Sequence, residues 1–472
     1  MIYAKEKFLE IKKAYPTKGG QKMIENVLPE IKTEVPGEKS KLLLQKRKEL
    51  VSRGISNAIP IFVEEAKGAL IKDVDGNIFL DFASGIGMQN AGHCDDEVVE
   101  AIKEQVGKYI HPCFHVAMYE PYINVAQKLV SIAPGKYEKK VLLTNSGAEA
   151  VENAIKLSRK YTKKRVILSA EGSFHGRTYF ALTLTSKVKP YKHGFGPFIP
   201  DVYKIPYAYC YRCNHTYKYP ECDLECIERI KKFIATEVSP EDIAAVIVEP
   251  IQGEGGIIVP PKRYLQELQN LCKENGFVFI VDEIQTGFGR TGYTFASEYF
   301  GLEPDLITVA KSIANGIPLS AVVGRKEILD APDEGGVGGT YAGSPLACVA
   351  ANVVIEKFAR GEFLANAKRL GKIIEEKLER MFERYSVIGD VRGTAAMWGI
   401  EFVKDRNSKQ PYPEFVKEVI KFSYQRGVIF ISAGIYSNVL RLLPPLVMTQ
   451  EQAEYGLNVL EEAIKYCLQN GL

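Results

Sequence analysis

The chain has no apolar run approaching the roughly 18 residues that cross a membrane, and its first 22 residues carry charges throughout, with no apolar core. Neither a membrane span nor a secretory signal is expected. An excess of one charge is also missing: 61 Lys and Arg against 58 Asp and Glu leave a net +3. That gives no electrostatic case for nucleic acid, and the short basic clusters Lys46 to Arg53 and Lys160 to Arg165 read as solvated helix faces. What remains is 472 residues of ordinary globular composition, 46% hydrophobic and 25% charged, enough for two or three domains. A cytoplasmic enzyme is the default expectation.

Cysteine, by contrast, is not scarce. Four of the nine fall close together as Cys210, Cys213, Cys222 and Cys226, a CxxC followed by a CxxxC. Such spacing suits a zinc ion or an iron–sulfur cluster. It equally suits disulfides, or a reduced loop packed by Tyr207, Tyr209, Tyr211, Tyr217 and Tyr219. No metal ligand is assigned.

The stretch Phe277 to Gly316 organises the rest. Phe277-Val278-Phe279-Ile280-Val281 is an apolar run stopped by Asp282 and Glu283, as in a buried parallel strand with acids at its carboxyl end. Leu306-Ile307-Thr308-Val309-Ala310 is a second run, ending on Lys311. The Gly-rich loop Gln285 to Gly292 and a short crossover helix fit between them. Strand carboxyl ends form the ligand crevice of an open α/β sheet, so Asp282 and Lys311 stand where a cofactor binds. Lysine forms a Schiff base with an aldehyde cofactor, and a carboxylate against a pyridine nitrogen keeps it protonated; both are what pyridoxal 5'-phosphate (PLP) requires. A lysine just past a strand is also a common helix-start residue, so Lys311 gains weight only from partner motifs.

Several are present. Val141 to Thr144 leads into Asn145-Ser146-Gly147-Ala148-Glu149, a small-residue turn opening a helix, which suits phosphate and is also a common N-cap. Phe174-His175-Gly176-Arg177-Thr178 follows the strand Val166 to Leu168, with an aromatic ring able to stack on a flat cofactor or to pack in a turn. Ala245 to Val248 ends on Glu249-Pro250 and the run Gln252 to Gly256, after which no helix opens. The expected organisation is a helical extension over 1–57, the N-terminal part of a small domain over 58–94, a large cofactor domain over 95–340 and the C-terminal part of the small domain over 341–472.

Together these motifs, with Asp282-Glu283-Ile284-Gln285-Thr286-Gly287-Phe288-Gly289-Arg290-Thr291-Gly292 and Lys311, resemble the class III (ω-) aminotransferases of PLP fold type I. The likeness covers about residues 57 to 465. The stretches from His111, Met118 and Thr183 look most like 4-aminobutyrate aminotransferases. The resemblance implies an α/β fold, a mostly parallel central sheet flanked by helices, with a smaller α+β domain from both chain ends. It implies that Lys311 is the Schiff-base lysine and proton carrier, that Asp282 holds the pyridine nitrogen, and that Phe174 stacks on the ring with His175 nearby. Ile284 and Gln285 are expected at the ring's other face and hydroxyl side. Gly147 and Ala148 are expected at the phosphate, helped by Thr340 of a second subunit, in a homodimer or dimer of dimers.

On the substrate side the resemblance implies Ile86, Arg159 for a distal carboxylate, Arg441 for an α-carboxylate, and Glu254 as the switch that neutralises Arg441 when no α-carboxylate is bound. The implied reaction moves the amino group of 4-aminobutyrate to 2-oxoglutarate by ping-pong chemistry. An amino-acid racemase or epimerase, or an ornithine or acetylornithine aminotransferase, is the alternative. Thr394-Ala395-Ala396, Ser344 and His115 depart from the family pattern, all away from the cofactor chemistry.

Overall fold

The computed structural model describes Ile24 and residues 27–213 and 217–472. Of the expected helical extension, residues 1–23, 25 and 26 lie outside the described residues; a helix at Glu38–Leu50 is present, with Ser40 its only buried residue.

A seven-stranded sheet forms the centre of the larger body. Its spatial order is Lys139–Thr144, Ser320–Arg325, Leu306–Val309, Val278–Asp282, Ile243–Val248, Val166–Ala170 and Val202–Ile205. Ser320–Arg325 runs antiparallel to both neighbours, and the other pairings are parallel. The four parallel strands from Val166–Ala170 to Leu306–Val309 are buried along their whole length, which is why they read as unbroken apolar runs. Alternate residues serve opposite faces. Ile167, Ile247 and Ile280 pack with Val151, Ala154 and Ile155 of the helix Gly147–Thr162. Leu168, Val246, Phe279 and Val281 pack with Leu265 and Leu268 of Lys262–Asn275 and Ala351 and Val354 of Pro345–Ala359.

The last of those helices was expected in the small domain. Its alanine-rich face is buried in the larger core, and the next helix, Glu362–Arg384, packs there through Ala367 and in the smaller core from Leu370 onward.

The smaller core joins both chain ends. Val63–Lys67, Leu70–Asp73 and Ile78–Asp81 form an antiparallel meander turning at Asp75-Gly76-Asn77, and the C-terminal Val428–Ile429 adds to it in parallel. A second sheet holds Ile388–Thr394, Met397–Phe402, Val439–Leu442 and Ile431–Ala433 in that order. Helices Glu362–Arg384, Pro413–Tyr424 and Gln450–Gln469 cover the two. Among the described residues no helix is long and apolar enough to cross a membrane.

One side chain ties the bodies together. Arg290, in the loop that follows Asp282, is fully buried. Its guanidinium donates to the carbonyls of Ala396 (2.9 Å) and Pro444 (2.6 Å) and to Asn90 Oδ1. Asn90 in turn donates to the Phe288 carbonyl, 2.6 Å. The same loop is closed from within by the buried Glu283, whose carboxyl accepts from Ala296 N (3.1 Å), Ser297 N (2.7 Å) and Ser297 Oγ (2.8 Å).

Gly371 is where a helix lies closest to a hairpin. An added Cβ there would stand 2.6 Å from Ala395 Cα and 2.8 Å from its carbonyl oxygen, backbone atoms that cannot swing aside. Helix propensity alone favours alanine by ~0.8–1.0 kcal/mol, so the substitution sets intrinsic preference against packing. Gly371→Ala is expected to destabilise the fold by the ~1–3 kcal/mol of an overpacked core, read as a lower denaturant midpoint. A rise in the midpoint would show that the helix can move off the hairpin.

Candidate active site

Asp282 and Lys311 end adjacent parallel strands, with Asp282 opposite Thr308. A buried carboxylate must be hydrogen-bonded, and Asp282 is only 4% exposed. Its Oδ1 accepts from Thr308 Oγ1 (3.0 Å) and Ile284 N (3.1 Å), while Oδ2 lies 2.7 Å from His175 Nδ1. The far ring nitrogen of His175 is buried without a partner. Lys311 opens a short 3-10 turn with φ 50°, a left-handed conformation uncommon outside glycine. Burial, and then the charge of Arg441, bring its amine down to about 8.

Both residues line a cavity of about 400 Å³. At one end the helix Gly147–Thr162 points its N-terminus inward. Ser146 and Glu149 form a capping box, Ser146 Oγ accepting from Glu149 N and Glu149 Oε2 from Asn145 N (2.6 Å). The first-turn N–H groups of Gly147 and Ala148 have no intrahelical acceptor and face an anion-binding space. An added Cβ on Gly147 would come within 2.9 Å of Ile284 Cδ1, so a larger residue narrows the cradle unless that side chain turns aside. Phe174, Ile284 and Gln285 are also in the wall, and Gln285 Oε1 is buried without a partner.

Glu249 has a role that its place in a sequence motif did not disclose. Its carboxyl accepts from Phe174 N (2.8 Å) and Gly253 N (2.9 Å), pinning the aromatic loop to the loop that carries Glu254. Burial, with Asp282 nearby, pushes it up to about 8. The available signal was the one that revealed Asp282, an acid at the carboxyl end of a fully apolar strand.

Toward the opening, Glu254 Oε2 pairs with Arg441 Nη1 at 2.9 Å, and Arg441 is 5% exposed. Tyr191 donates to Glu254 Oε1 at 2.7 Å and sets its ring edge-on to Phe174. The guanidinium of Arg177 lies 4.7 Å from the Tyr191 ring centroid. Ile86 lines the cavity with φ 66°.

Two expected residues are not brought to this cavity. Arg159 sits twelve residues after Gly147 on one helix, about 18 Å along its axis. There it donates to the Arg165 carbonyl (2.7 Å) and covers the Phe180 ring (4.7 Å), and it is not among the residues lining the cavity. Thr340 is exposed, away from the cavity of its own chain, its carbonyl accepting from His111 Nε2 at 2.5 Å.

The sequence model for class-III aminotransferases matches residues 51–464. The chain belongs to that family. A probable 4-aminobutyrate aminotransferase of Bacillus subtilis is 46% identical over 421 residues, spanning 89% of this chain and 97% of that protein. A 5-aminovalerate aminotransferase of Pseudomonas aeruginosa is 41% identical, with 89% and 97% covered. An amine transaminase of an uncultivated Pseudomonas species, crystallised in its PLP-bound form, superposes with a TM-score of 0.81 at 29% identity, covering 86% of this chain and 95% of that one. The antiparallel strand within an otherwise parallel central run and the small domain built from both chain ends agree with fold type I.

The cofactor of a class-III aminotransferase is PLP, and the cavity suits it. Asp282 is a hydrogen-bonded carboxyl suited to a ring nitrogen, the helix N-terminus at Gly147 suits a phosphate, Lys311 offers an amine for an aldehyde, and Gln285 Oε1 and His175 Nε2 are buried polar atoms with no partner among the described residues. Only the neutral amine attacks an aldehyde. With Lys311 at about 8, capture of PLP by the cofactor-free aminotransferase is expected to slow about tenfold per pH unit below that value and to level off above it. Stopped-flow absorbance of the reconstitution reads this directly; a rate independent of pH through that region would mean another group limits capture.

Proposed function

We propose that this aminotransferase takes the terminal amino group of 4-aminobutyrate, or an ω-amino acid of similar length, and gives it to 2-oxoglutarate, releasing succinate semialdehyde and glutamate. The observation that carries this reading is the Glu254–Arg441 pair at the cavity. One cavity has to accept an amino acid without an α-carboxylate and then an oxo acid that has one. Leaving a buried guanidinium unpaired costs ~3–5 kcal/mol. A carboxylate that pairs with Arg441 in the first half-reaction and moves aside in the second removes that cost in both. The curated relatives act, by name, on 4-aminobutyrate and 5-aminovalerate, both of which lack an α-amino group.

PLP, when bound, would supply an acceptor for the amino group and a sink for the electron pair left on the substrate carbon. Asp282, held by Thr308 and His175, would keep a proton on the ring nitrogen. The Lys311 amine would take the proton from the amino-bearing carbon. Phe174, pinned by Glu249, would pack against the ring. In place of Arg159, we assign the distal carboxylate to Arg177, which shares Tyr191 with the Glu254–Arg441 pair. A guanidinium fork there fixes the chain length of the donor.

The same reading includes a second copy of the chain over the cavity mouth. Val116 (83% exposed), Met118 (81%) and Tyr341 (67%) leave apolar surface beside Thr340, whose phosphate role needs a neighbouring subunit.

The test is a pair of half-reactions. The purified yellow enzyme is expected to lose its long-wavelength cofactor band on adding 4-aminobutyrate and to regain it with 2-oxoglutarate. Racemisation of an L-amino acid without any oxo acid, and no response to 4-aminobutyrate, would sink the proposal. Arg177→Ala is expected to lower kcat/KM for 4-aminobutyrate roughly 30-fold or more, from loss of one side of a charge-assisted pair. Arg159→Ala is expected to leave it within about twofold, as for a residue off the site; the reverse ranking would return the carboxylate to Arg159.

A further inference from the structure

The cysteine quartet takes no part in the chemistry above. Cys272, Cys348 and Cys467 are buried and pack as small apolar residues. Cys210, Cys213, Cys222 and Cys226 differ: all four line one cavity of about 500 Å³, and none is bonded to another. We propose that these four thiols are the ligands of one zinc-class divalent cation, at a site separate from amino transfer.

The backbone presents them in two pairs. Cys210 and Cys213 bracket a 3-10 turn closed by Cys213 N to the Cys210 carbonyl, 3.4 Å. Cys222 and Cys226 bracket a tight turn, with Asp223 at φ 43° and Leu224 at φ 60°, that opens the helix Glu225–Thr236. Two short chelate loops facing one space are how tetrahedral thiolate sites are assembled. Both pairs open onto the same cavity.

As the chain stands, no three thiol, acid or imidazole groups among the described residues are closed to coordinating distance. Neutral thiols have no attraction that draws them together. A cation supplies it: four Cys–SH groups and one Zn²⁺ give four S–Zn bonds, a centre of net charge −2, and four protons released to solvent, with no change of oxidation state. Positive charge for that centre is at hand. Lys218 donates to the Cys213 carbonyl at 3.2 Å, and Arg229 is in the cavity wall.

The cavity shares a wall with the active site. Gln252 and Gly255 face the cysteines while Glu254, between them, faces the substrate side. A metal here fastens the outside of the loop whose inside carries the carboxylate switch.

The native enzyme, expressed and purified without chelators, is the material for the test. Elemental analysis is expected to find one zinc per chain, released in proportion as p-hydroxymercuribenzoate consumes thiols, and cobalt-substituted protein is expected to show a thiolate-to-cobalt charge-transfer band. The double variant Cys210→Ser/Cys213→Ser is expected to lose the metal. Because that variant can also lose its loop structure, alkylation of denatured native protein with and without prior reduction provides an independent arm. Nine free thiols with no metal would overturn the proposal, as would cysteines that alkylate only after reduction. Iron with acid-labile sulfide would overturn the zinc assignment in favour of a cluster.

Discussion

A carboxylate taken out of water must be surrounded by donors, and at Asp282 that requirement shapes the whole molecule. Its donors come from the neighbouring strand (Thr308), from the turn that follows (Ile284 N) and from a loop a hundred residues earlier (His175). Satisfying them fixes the register of two central strands, the first step of the Gly-rich loop and the position of the aromatic loop. Those same constraints bring Lys311 alongside, because it leaves the strand that supplies Thr308. Glu249 repeats the device one strand away, using backbone N–H groups as donors to hold two loops at a set distance.

The central strands were legible because burial on both faces leaves no choice but an unbroken apolar run, and the acids that end two of them mark the crevice. Less was legible at the edges. Val202–Ile205 alternates exposure and carries Lys204, so its pattern is short and mixed. Ser320–Arg325 is fully apolar in the middle, but nothing local says that it runs antiparallel between two other strands. The helix Pro345–Ala359 opens the long helical stretch that reads as part of the small domain; its small alanine-rich face is what lets it seat deeply in the earlier core.

The two arginines show the same limit at the level of the site. Arg159 and Arg177 are both basic residues near cofactor motifs, and spacing along the chain does not separate them. Helix rise does, since it sets Arg159 about three turns from the helix N-terminus that lines the cavity. Arg177 lies in the loop that already presents Phe174 and His175, so its nearness to Tyr191 and Glu254 follows from loop geometry rather than from any local composition.

Arg290 links events that are far apart in time as well as in sequence. Its acceptors are the carbonyls of Ala396 and Pro444 and the side-chain oxygen of Asn90, one from a segment well before it in the chain and two from segments well after it. During synthesis the cofactor strands emerge complete long before Pro444 leaves the ribosome. Until then two of its three acceptors are missing. The loop beside the cofactor cavity is thus fastened last, by carbonyls that only the C-terminal part of the fold supplies.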